Sequence, residues 1–194
     1  MKTHKIRSLA LVLIGMILLA GCAGQILPAQ SPSGSGEASQ DVKPTLDLDW
    51  FAMDLTDAVS GDTFNMNDFA GKVVLVETMA MWCPNCLVQA NEVRKMHEAL
   101  GNPEDLVSVS LDVDTNEDSA TLKKYVEEYG FDWRFAVAPL LVARALGNRY
   151  SAEYLNPPIS PMLLIDRDGE VHQLDYGFKS AETLQEFVEP FLRK

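Results

Sequence analysis

The chain contains an uninterrupted apolar run, Val73-Val74-Leu75-Val76, and a pair of cysteines, Cys83 and Cys86, follows it at the start of a helical pattern. An uninterrupted apolar run is typical of a strand that is buried on both faces of its sheet. Both faces of such a sheet must be covered, so this segment predicts an α/β domain in which helices flank a central sheet. The residues that can carry chemistry come just after this strand.

Residues 45–194 alternate between short apolar runs and helical patterns, as expected for one domain of this class. An amino-terminal hairpin region is predicted from residues 46–55 and 63–69, which flank the turn Ser60-Gly61-Asp62. Further strands are predicted at 106–113 and 131–137, and a second hairpin at 162–165 and 170–174. Helices are predicted from residue 84 to about 100, where Gly101 ends the first one, and at 119–129, 140–150 and 181–192.

The first 22 residues have the three parts of an export leader: a basic start, an apolar core at residues 9–20 and a small-residue end before Cys22. The core is shorter than the roughly 20 residues that a transmembrane helix needs, which favours a signal peptide. Its end, Leu19-Ala20-Gly21-Cys22, resembles the bacterial lipobox. This resemblance implies that cleavage leaves Cys22 as the first residue, with a lipid on its sulfur. The alternative is an ordinary signal peptide, cleaved after another small residue, with Cys22 unmodified.

The region after the leader is rich in Ser, Gly, Pro and Gln and has no apolar periodicity. Such a composition buries too little apolar surface to offset chain entropy, so it predicts a flexible linker. The predicted organisation is a lipoprotein signal peptide at residues 1–21, a lipidated linker at 22–44 and one folded domain at 45–194. The expected location is the extracytoplasmic side of the cell envelope, with the chain attached to the membrane through the lipid on Cys22.

The charge balance of the chain is strongly acidic. The chain has 16 basic and 28 acidic residues and a net charge of −12. Three of the basic residues, Lys2, Lys5 and Arg7, lie in the leader, so its removal changes the net charge from −12 to −15. Nucleic-acid affinity comes mainly from Lys and Arg side chains that neutralise phosphates, so no nucleic-acid partner is expected.

Cys83 and Cys86 are three residues apart at the predicted start of a helix. This spacing allows a small disulfide ring, and the partial positive charge at a helix amino terminus favours the thiolate of the first cysteine. Only the thiolate attacks a disulfide sulfur, so the pattern indicates redox chemistry. Two alternatives stay open. One is half of a zinc site, although the chain has no second cysteine pair, and the other is a purely structural disulfide, although so short a loop adds little stability. No metal site and no cofactor are predicted.

Two separated motifs resemble the thioredoxin superfamily, in particular its membrane-tethered TlpA and ResA-like thiol-disulfide proteins. Residues 73–86, VVLVETMAMWCPNC, are similar to the first core strand and active site of that superfamily. Residues 159–166, followed by Asp168-Gly169, are similar to its cis-proline loop and the hairpin behind it. The resemblance spans residues 45–194. It implies a thioredoxin-like α/β fold, with a central mixed β-sheet flanked by helices and an amino-terminal β-hairpin extension.

The resemblance also implies roles for three residues of the first motif. Cys83 is expected to be the attacking thiol, and Cys86 the resolving thiol that releases the mixed disulfide. Glu77, six residues before Cys83, is expected to be buried beneath the dithiol and to take the proton of the resolving thiol. Burial raises the pKa of a carboxyl group toward neutrality, which suits proton transfer. The alternative is that Glu77 is a solvated residue at a strand end.

In the second motif, the resemblance makes Pro161 the cis-proline beside the cysteines, with the backbone of Ser160 placed to pair with an extended substrate chain. Pro157 and Pro158 compete for this position, but no strand follows them directly. Ser160 departs from the Thr that is common before this proline. Trp82, next to the first cysteine, is expected to shield the thiols at the rim of the site and to contribute to substrate binding.

The predicted function is a membrane-tethered, extracytoplasmic thiol-disulfide oxidoreductase that reduces disulfides of exported proteins. Its expected partners are cysteine-containing exported proteins as clients, a membrane thiol electron donor, and the membrane itself. The oxidising direction uses the same residues. Asn85 puts no positive charge between the cysteines, and this favours the reducing direction.

Two other functions are weighed against this prediction. A peroxiredoxin-like peroxidase needs a Pro seven residues and a Thr or Ser three residues before its reactive cysteine, whereas Val76 and Ala80 stand there. A copper-binding or copper-delivery lipoprotein would use the cysteine pair with nearby thioether sulfurs, which suit soft metals. Methionine is also a common core filler, so the methionines of this region do not decide the matter.

Overall fold

The computed structural model describes residues 49–193, which lie within one compact unit that begins at Pro44. The predictions for the signal peptide, the lipidated Cys22 and the linker concern residues outside the described part. Within residues 49–193, no helix is both long and apolar enough to cross a membrane.

The core of the domain is a five-stranded mixed sheet in the order β5-β4-β3-β6-β7. Strands β3, β4 and β5 are parallel, whereas β6 runs antiparallel to β3, and β7 antiparallel to β6. The strands are β3 (Val73–Met79), β4 (Leu106–Asp112), β5 (Arg134–Val137), β6 (Met162–Ile165) and β7 (Val171–Gln173). The predicted central mixed sheet is therefore confirmed, and β3 lies in its middle.

Four α-helices flank this sheet: α1 (Pro84–Ala99), α2 (Ser119–Tyr129), α3 (Leu140–Arg149) and α4 (Ala181–Leu192). The bounds of α2 and α4 agree with those predicted, and α1 and α3 each end one residue earlier. Side chains at the N-caps explain two of the starts, because Asp118 and Ser180 each accept a hydrogen bond from a backbone N–H of the first turn. Gly130 ends α2 in the left-handed conformation, with φ of 67°.

Both faces of β3 are covered, as the apolar run predicted. Val73 and Leu75 pack in one apolar cluster with residues of α1 and α4, among them Val93, Met96, Leu184 and Val188. Val74 and Val76 pack in a second cluster with residues of α3, among them Val142, Ala145 and Leu146. Burial of one such side chain contributes roughly 1.5–3 kcal/mol, so this strand is a main source of stability and a rigid support for the segment that follows it.

The amino-terminal hairpin is present but shorter than predicted. From residue 49 onward, only β1 (Leu55–Thr56) and β2 (Thr63–Phe64) pair in this region, antiparallel, in a small sheet of their own. The flanking residues form 3₁₀ turns at Trp50–Ala52 and Met66–Phe69. The physical reason is local side-chain capping: Asn65 and Asp68 form a capping box that closes the second turn, and this competes with extension of the strand.

Strand β5 also begins later than predicted, at Arg134 and not at residue 131. Phe131 belongs instead to the end of α2, because its N–H donates to the carbonyl of Val126. Its ring stacks on that of Phe135, with 5.4 Å between the ring centroids. Phe131, whose apolar side chain suggested a longer strand, therefore packs between α2 and the sheet.

Candidate active site

The two cysteines lie between the end of β3 and the first turn of α1. They form a disulfide, with their Cα atoms 5.3 Å apart. Cys83 is the N-cap of α1, and its sulfur accepts a hydrogen bond of 3.2 Å from the N–H of Cys86. Pro84 follows at the first helical position, where a missing N–H costs nothing. The helix amino terminus therefore points at Cys83 and favours its thiolate over its thiol once the disulfide is reduced.

Both cysteines are buried, with 1% of Cys83 and 3% of Cys86 exposed, and they pack in an apolar cluster with Met79, Ala80 and Ala90. The sulfur of Cys86 lies 3.4 Å from the carbonyl oxygen of Pro157. A reduced Cys86 thiol can donate to this oxygen. The pair is thus held between α1 and the segment that leads into β6.

The segment before Cys83 is fastened to the loop that follows β4. The N–H of Met81 donates to the Glu117 carboxylate at 2.8 Å, and the indole Nε1 of Trp82 donates to Asp114 at 2.7 Å. Trp82 itself is 57% exposed. It therefore stands at the rim of the site, where the sequence placed it, and its exposed ring is open to a partner.

Glu77 lies near the end of β3 and is only 5% exposed, so the prediction of a buried carboxyl is confirmed. Ser110 on the neighbouring strand β4 donates a hydrogen bond to it, and the indole of Trp133 donates to Ser110 at 2.9 Å. Burial raises the pKa of Glu77 from 4.5 to about 7, against smaller opposing effects of Ser110 and Lys179. A carboxyl with this pKa can both accept and release a proton near neutral pH.

Pro161 does not have the predicted cis peptide bond: the described residues contain none, and the bond from Ser160 to Pro161 is trans. The chain turns into β6 by another means, since Ser160 adopts the left-handed conformation with φ of 49°. This turn is stabilised by the Ser160 N–H, which donates to the carbonyl of Pro157 at 2.8 Å. The carbonyl of Pro161 accepts from the N–H of Thr78 and so joins the turn to β3.

Ser160 lies at the site, but its backbone N–H and carbonyl both already form hydrogen bonds within the domain. Its N–H bonds to Pro157, and its carbonyl accepts from the ammonium of Lys179 at 2.8 Å. The predicted role of Ser160 and Pro161 in pairing with a substrate chain stays a prediction. Beside them lies an open cleft of about 370 Å³, lined by Asn85, Val88, Pro158, Ser160 and Phe178.

Sequence reasoning missed two buried titratable side chains close to the site. Lys179, after β7, is 5% exposed, and Asp112, the last residue of β4, is fully buried. One Asp112 oxygen accepts from the N–H of Asp114, and a protonated Asp112 can donate to the neighbouring Glu117 carboxyl. Burial and, after it, the neighbouring Glu117 raise the pKa of Asp112. The alternation of polar and apolar residues along β4 places Asp112 on the same face as Ser110 and could have drawn attention to it. No pattern in the sequence indicates that Lys179 is buried.

Two groups of side chains bear on metal binding. Met79 shares the apolar cluster of the two cysteines, while Met162 lies in the separate cluster between α1 and α4. Within residues 49–193, one set of ligand-type atoms, from Asp166, Glu170 and His172, lies within 4.8 Å of one another. Asp166 already accepts hydrogen bonds from two backbone N–H groups and from His172 in that turn, so this set stabilises the hairpin of β6 and β7.

The sheet order and the disulfide at the start of α1 define a thioredoxin-like fold with a redox-type cysteine pair. Solved structures support the fold: a thiol:disulfide interchange protein of the thioredoxin family from Chlorobium tepidum superposes with a TM-score of 0.58 and 19% identity. The match covers 72% of this chain and 92% of that protein. The predicted fold class is therefore confirmed.

The chain belongs to the Redoxin family, whose profile matches residues 32–188. Among curated proteins, the thiol-disulfide oxidoreductase ResA of Halalkalibacterium halodurans is 24% identical over 131 residues, covering 68% of this chain and 69% of ResA. ResA of Bacillus thuringiensis subsp. konkukian is 27% identical over 130 residues, with 67% and 69% covered. These similarities confirm the predicted ResA-like branch of the thioredoxin superfamily and a thiol-disulfide oxidoreductase as the class of enzyme.

Proposed function

We propose that the chain is a lipid-anchored, extracytoplasmic oxidoreductase that reduces disulfide bonds of exported proteins with the Cys83 and Cys86 dithiol. The observation that carries the proposal is the position of the disulfide: Cys83 caps α1, and its sulfur accepts the N–H of Cys86. That position stabilises a thiolate on Cys83 more than on a cysteine away from a helix terminus. Cys83 is therefore the nucleophile.

The reaction begins from the reduced dithiol. The Cys83 thiolate attacks one sulfur of the client disulfide, forms a mixed disulfide and expels the other client sulfur as a thiolate, which takes a proton from water. Cys86 then loses its proton and attacks the Cys83 sulfur. This step forms the Cys83–Cys86 disulfide of the structure and expels the second client sulfur as a thiolate, which takes a proton from water. Two electrons pass from the enzyme to the client in the whole reaction.

Glu77 is the proposed acceptor of the Cys86 proton. Its pKa of about 7 leaves the carboxyl partly ionised at neutral pH, and its burial excludes most competing solvent. After resolution, the protonated carboxyl returns its proton to solvent. Replacement of Glu77 by Gln should slow the resolving step without unfolding the domain, and unchanged rates from about pH 6 to 9 would contradict this role.

The proposed location follows from the leader. A lipid on Cys22 would hold the domain at the membrane, where a membrane thiol donor can reduce the Cys83–Cys86 disulfide by a second exchange reaction. The net charge of the processed chain does not favour contact with anionic headgroups, so attachment would depend on the acyl chains. Incorporation of labelled fatty acid into the wild-type chain, and its loss in Cys22→Ala, would test the anchor.

A trapping experiment tests the reaction. Cys86→Ser cannot resolve the mixed disulfide, so client proteins from an extracytoplasmic extract should stay covalently bound to Cys83 and be released by a reductant. Cys83→Ser is the matched control and should capture none. Equal capture by both variants would contradict the assignment of Cys83 as nucleophile.

The direction of electron flow is tested by the reduction potential of the cysteine pair, equilibrated against glutathione. A reductant should have a potential near that of thioredoxin, about −270 mV. A value above roughly −150 mV would instead indicate an oxidant and would overturn the proposed direction.

Copper delivery is a second candidate, because Met79 packs in the same cluster as the two cysteines. A thioether beside two thiolates is a suitable ligand set for Cu(I). Titration of the reduced chain with Cu(I) separates the two functions. Binding no tighter than that of the Cys83→Ser variant would eliminate the copper function.

A further inference from the structure

Lys179 is a buried cation beside the active site that none of the roles above uses. Its side chain is directed inward, and its ammonium donates to the carbonyl oxygens of Ser160 at 2.8 Å and of Gly177 at 2.6 Å. A lysine is almost never buried to this extent without a compensating partner. Two carbonyl groups satisfy hydrogen bonds of the ammonium but do not neutralise its charge.

The backbone of Lys179 is also held, in this case by the first helix. Gln89 on α1 is buried, and its amide both accepts from the Lys179 N–H at 2.9 Å and donates to the Lys179 carbonyl at 3.0 Å. Gln89 lies three residues after Cys86 and therefore on the same side of α1. Lys179 thus joins the helix that carries the cysteines to the Ser160 turn.

The Ser160 turn leads directly to Glu77. Met162, two residues after Ser160, is paired with Glu77 in the β3–β6 register, and the Pro161 carbonyl bonds to the N–H of Thr78. The ammonium of Lys179 is therefore fixed at the end of β6 that adjoins the Glu77 position. Each group acts on the other: Glu77 raises the pKa of Lys179, and Lys179 lowers that of Glu77, in each case against a larger effect of burial.

We propose that Lys179 is a positioning residue for the dithiol reaction: its ammonium holds the Ser160 turn against α1 and stabilises the ionised form of the Glu77 carboxyl. The second half of this proposal rests on the proposed function, in which ionised Glu77 takes the proton of Cys86. Lys179 would thereby determine which fraction of the enzyme is ready to resolve the mixed disulfide at a given pH.

Other polar and titratable groups also lie near Glu77 and Lys179 and influence their pKa values. Ser110 from β4 donates to Glu77, and Tyr125 from α2 is close enough to be influenced by its charge. On the side of Lys179, Asp175 acts on the ammonium, and Glu186 from α4 lines the adjacent cleft. Asp175 acts less strongly on the ammonium than Glu77, so Glu77 is the carboxyl that a change at Lys179 should affect most.

The test uses the full chain in its oxidised form and measures the pKa of Glu77 by carbon-13 NMR of labelled glutamate. Lys179→Met removes the ammonium and keeps an unbranched apolar side chain, while Lys124→Met, on the exposed face of α2, removes the same charge away from the site. Lys179→Met should raise the pKa of Glu77 by about one unit, the low end of the effect of an opposite charge in the same buried region. Lys124→Met should leave it unchanged. An unchanged pKa in Lys179→Met would overturn the proposal.

A kinetic measurement tests the consequence. With the pKa one unit higher, the ionised fraction of Glu77 at pH 7, and with it the rate of the resolving step, should fall about fivefold, and the midpoint of the pH profile should move upward by one unit. In the Glu77→Gln background, Lys179→Met should no longer move the pH profile. If Glu77→Gln itself leaves the rate unchanged, the proton-acceptor role fails, whereas a shifted Glu77 pKa still supports the electrostatic role of Lys179.

A reciprocal measurement keeps the proposal testable if Lys179→Met does not fold. Coupling between two sites is mutual, so loss of the Glu77 charge must lower the pKa of Lys179 by the same amount. Glu77→Gln changes few atoms and retains the capacity to accept from Ser110. The pKa of the Lys179 ammonium, followed by NMR, should fall by about one unit in this variant. No change would overturn the proposal.

Discussion

Ionisation of Glu77 should make the folded domain less stable as the pH rises, and Glu77→Gln should abolish that part of the pH dependence. The pKa of Glu77 is raised from 4.5 to about 7 because the carboxyl is buried. The folded chain therefore binds this proton more tightly than the unfolded chain does. The stabilisation is fully present below the unfolded pKa and is lost as the pH rises through the folded pKa.

The magnitude follows from the size of the shift. One pKa unit corresponds to about 1.4 kcal/mol, so complete ionisation of Glu77 costs the folded state about 3 kcal/mol. Between about pH 5 and pH 8, the unfolding free energy should fall by roughly 2 to 3 kcal/mol because of Glu77. Glu77→Gln cannot ionise, so its stability relative to wild type should increase by this amount over the same interval.

The assay is urea denaturation of the two proteins at both pH values, with the disulfide intact. Glu128→Gln, which removes an exposed carboxyl on α2, serves as the control and should behave like wild type. The quantity to compare is the difference in unfolding free energy between variant and wild type at the two pH values. If this difference changes by less than about 0.5 kcal/mol, burial does not raise the pKa of Glu77 in the folded domain, and the reasoning is refuted.

Three further predictions concern single positions. Asp112→Asn keeps an acceptor for the Asp114 N–H but cannot ionise. Its unfolding free energy, measured by urea denaturation, should therefore fall less than that of wild type as the pH rises. Trp82→Ala should change the unfolding free energy by less than about 1 kcal/mol, because the ring is mostly exposed. It should slow mixed-disulfide formation in a stopped-flow assay, and an unchanged rate would contradict the role of Trp82 in substrate binding. Gly130→Ala should cost about 1 kcal/mol in thermal unfolding, because φ is 67° and no atom lies within 4 Å of the added methyl group, so the cost is purely conformational.

The parts of the fold that were predicted correctly are those in which one physical signal dominates. The apolar run of β3 had to be covered on both sides, and it is the central strand with α1 and α4 on one face and α3 on the other. Cys83-Pro84 marks the start of α1 because proline at the first helical position fits the helix geometry. These signals are local, so no knowledge of distant contacts is needed to use them.

The errors come from contacts between residues that are distant in sequence or from competing side-chain bonds. The hairpin shortened because side chains such as Asn65 cap turns next to it. The conformation at Pro161 depends on the left-handed Ser160 and on its bonds to Pro157 and Lys179, which lies 19 residues farther along the chain. A resemblance of motifs does not contain these bonds, and this is why it predicted the wrong peptide isomer.

Strand β4 shows a third kind of difference between pattern and structure. Ser108, Ser110 and Asp112 alternate with apolar residues, which normally indicates one solvated face. All three are buried. Ser108 bonds to His97, Ser110 bonds to Glu77 and Trp133, and Asp112 accepts from the Asp114 N–H. The alternation was a correct sign that the two faces of β4 differ, but the polar face is directed toward the interior of the domain and not toward water.

The buried polar face of β4 lowers the stability of the domain, but it adjoins Glu77, the proposed proton acceptor. Buried polar groups must find partners, and Asp112 has the Glu117 carboxyl beside it, which favours its protonated form. An apolar residue at Glu77 would remove about 3 kcal/mol of ionisation cost at alkaline pH. It would also remove the proposed proton acceptor, and with it the group on which Lys179 acts. The same substitution should therefore make the domain more stable and the dithiol slower, a trade between stability and activity that is common where a reaction needs a buried charge.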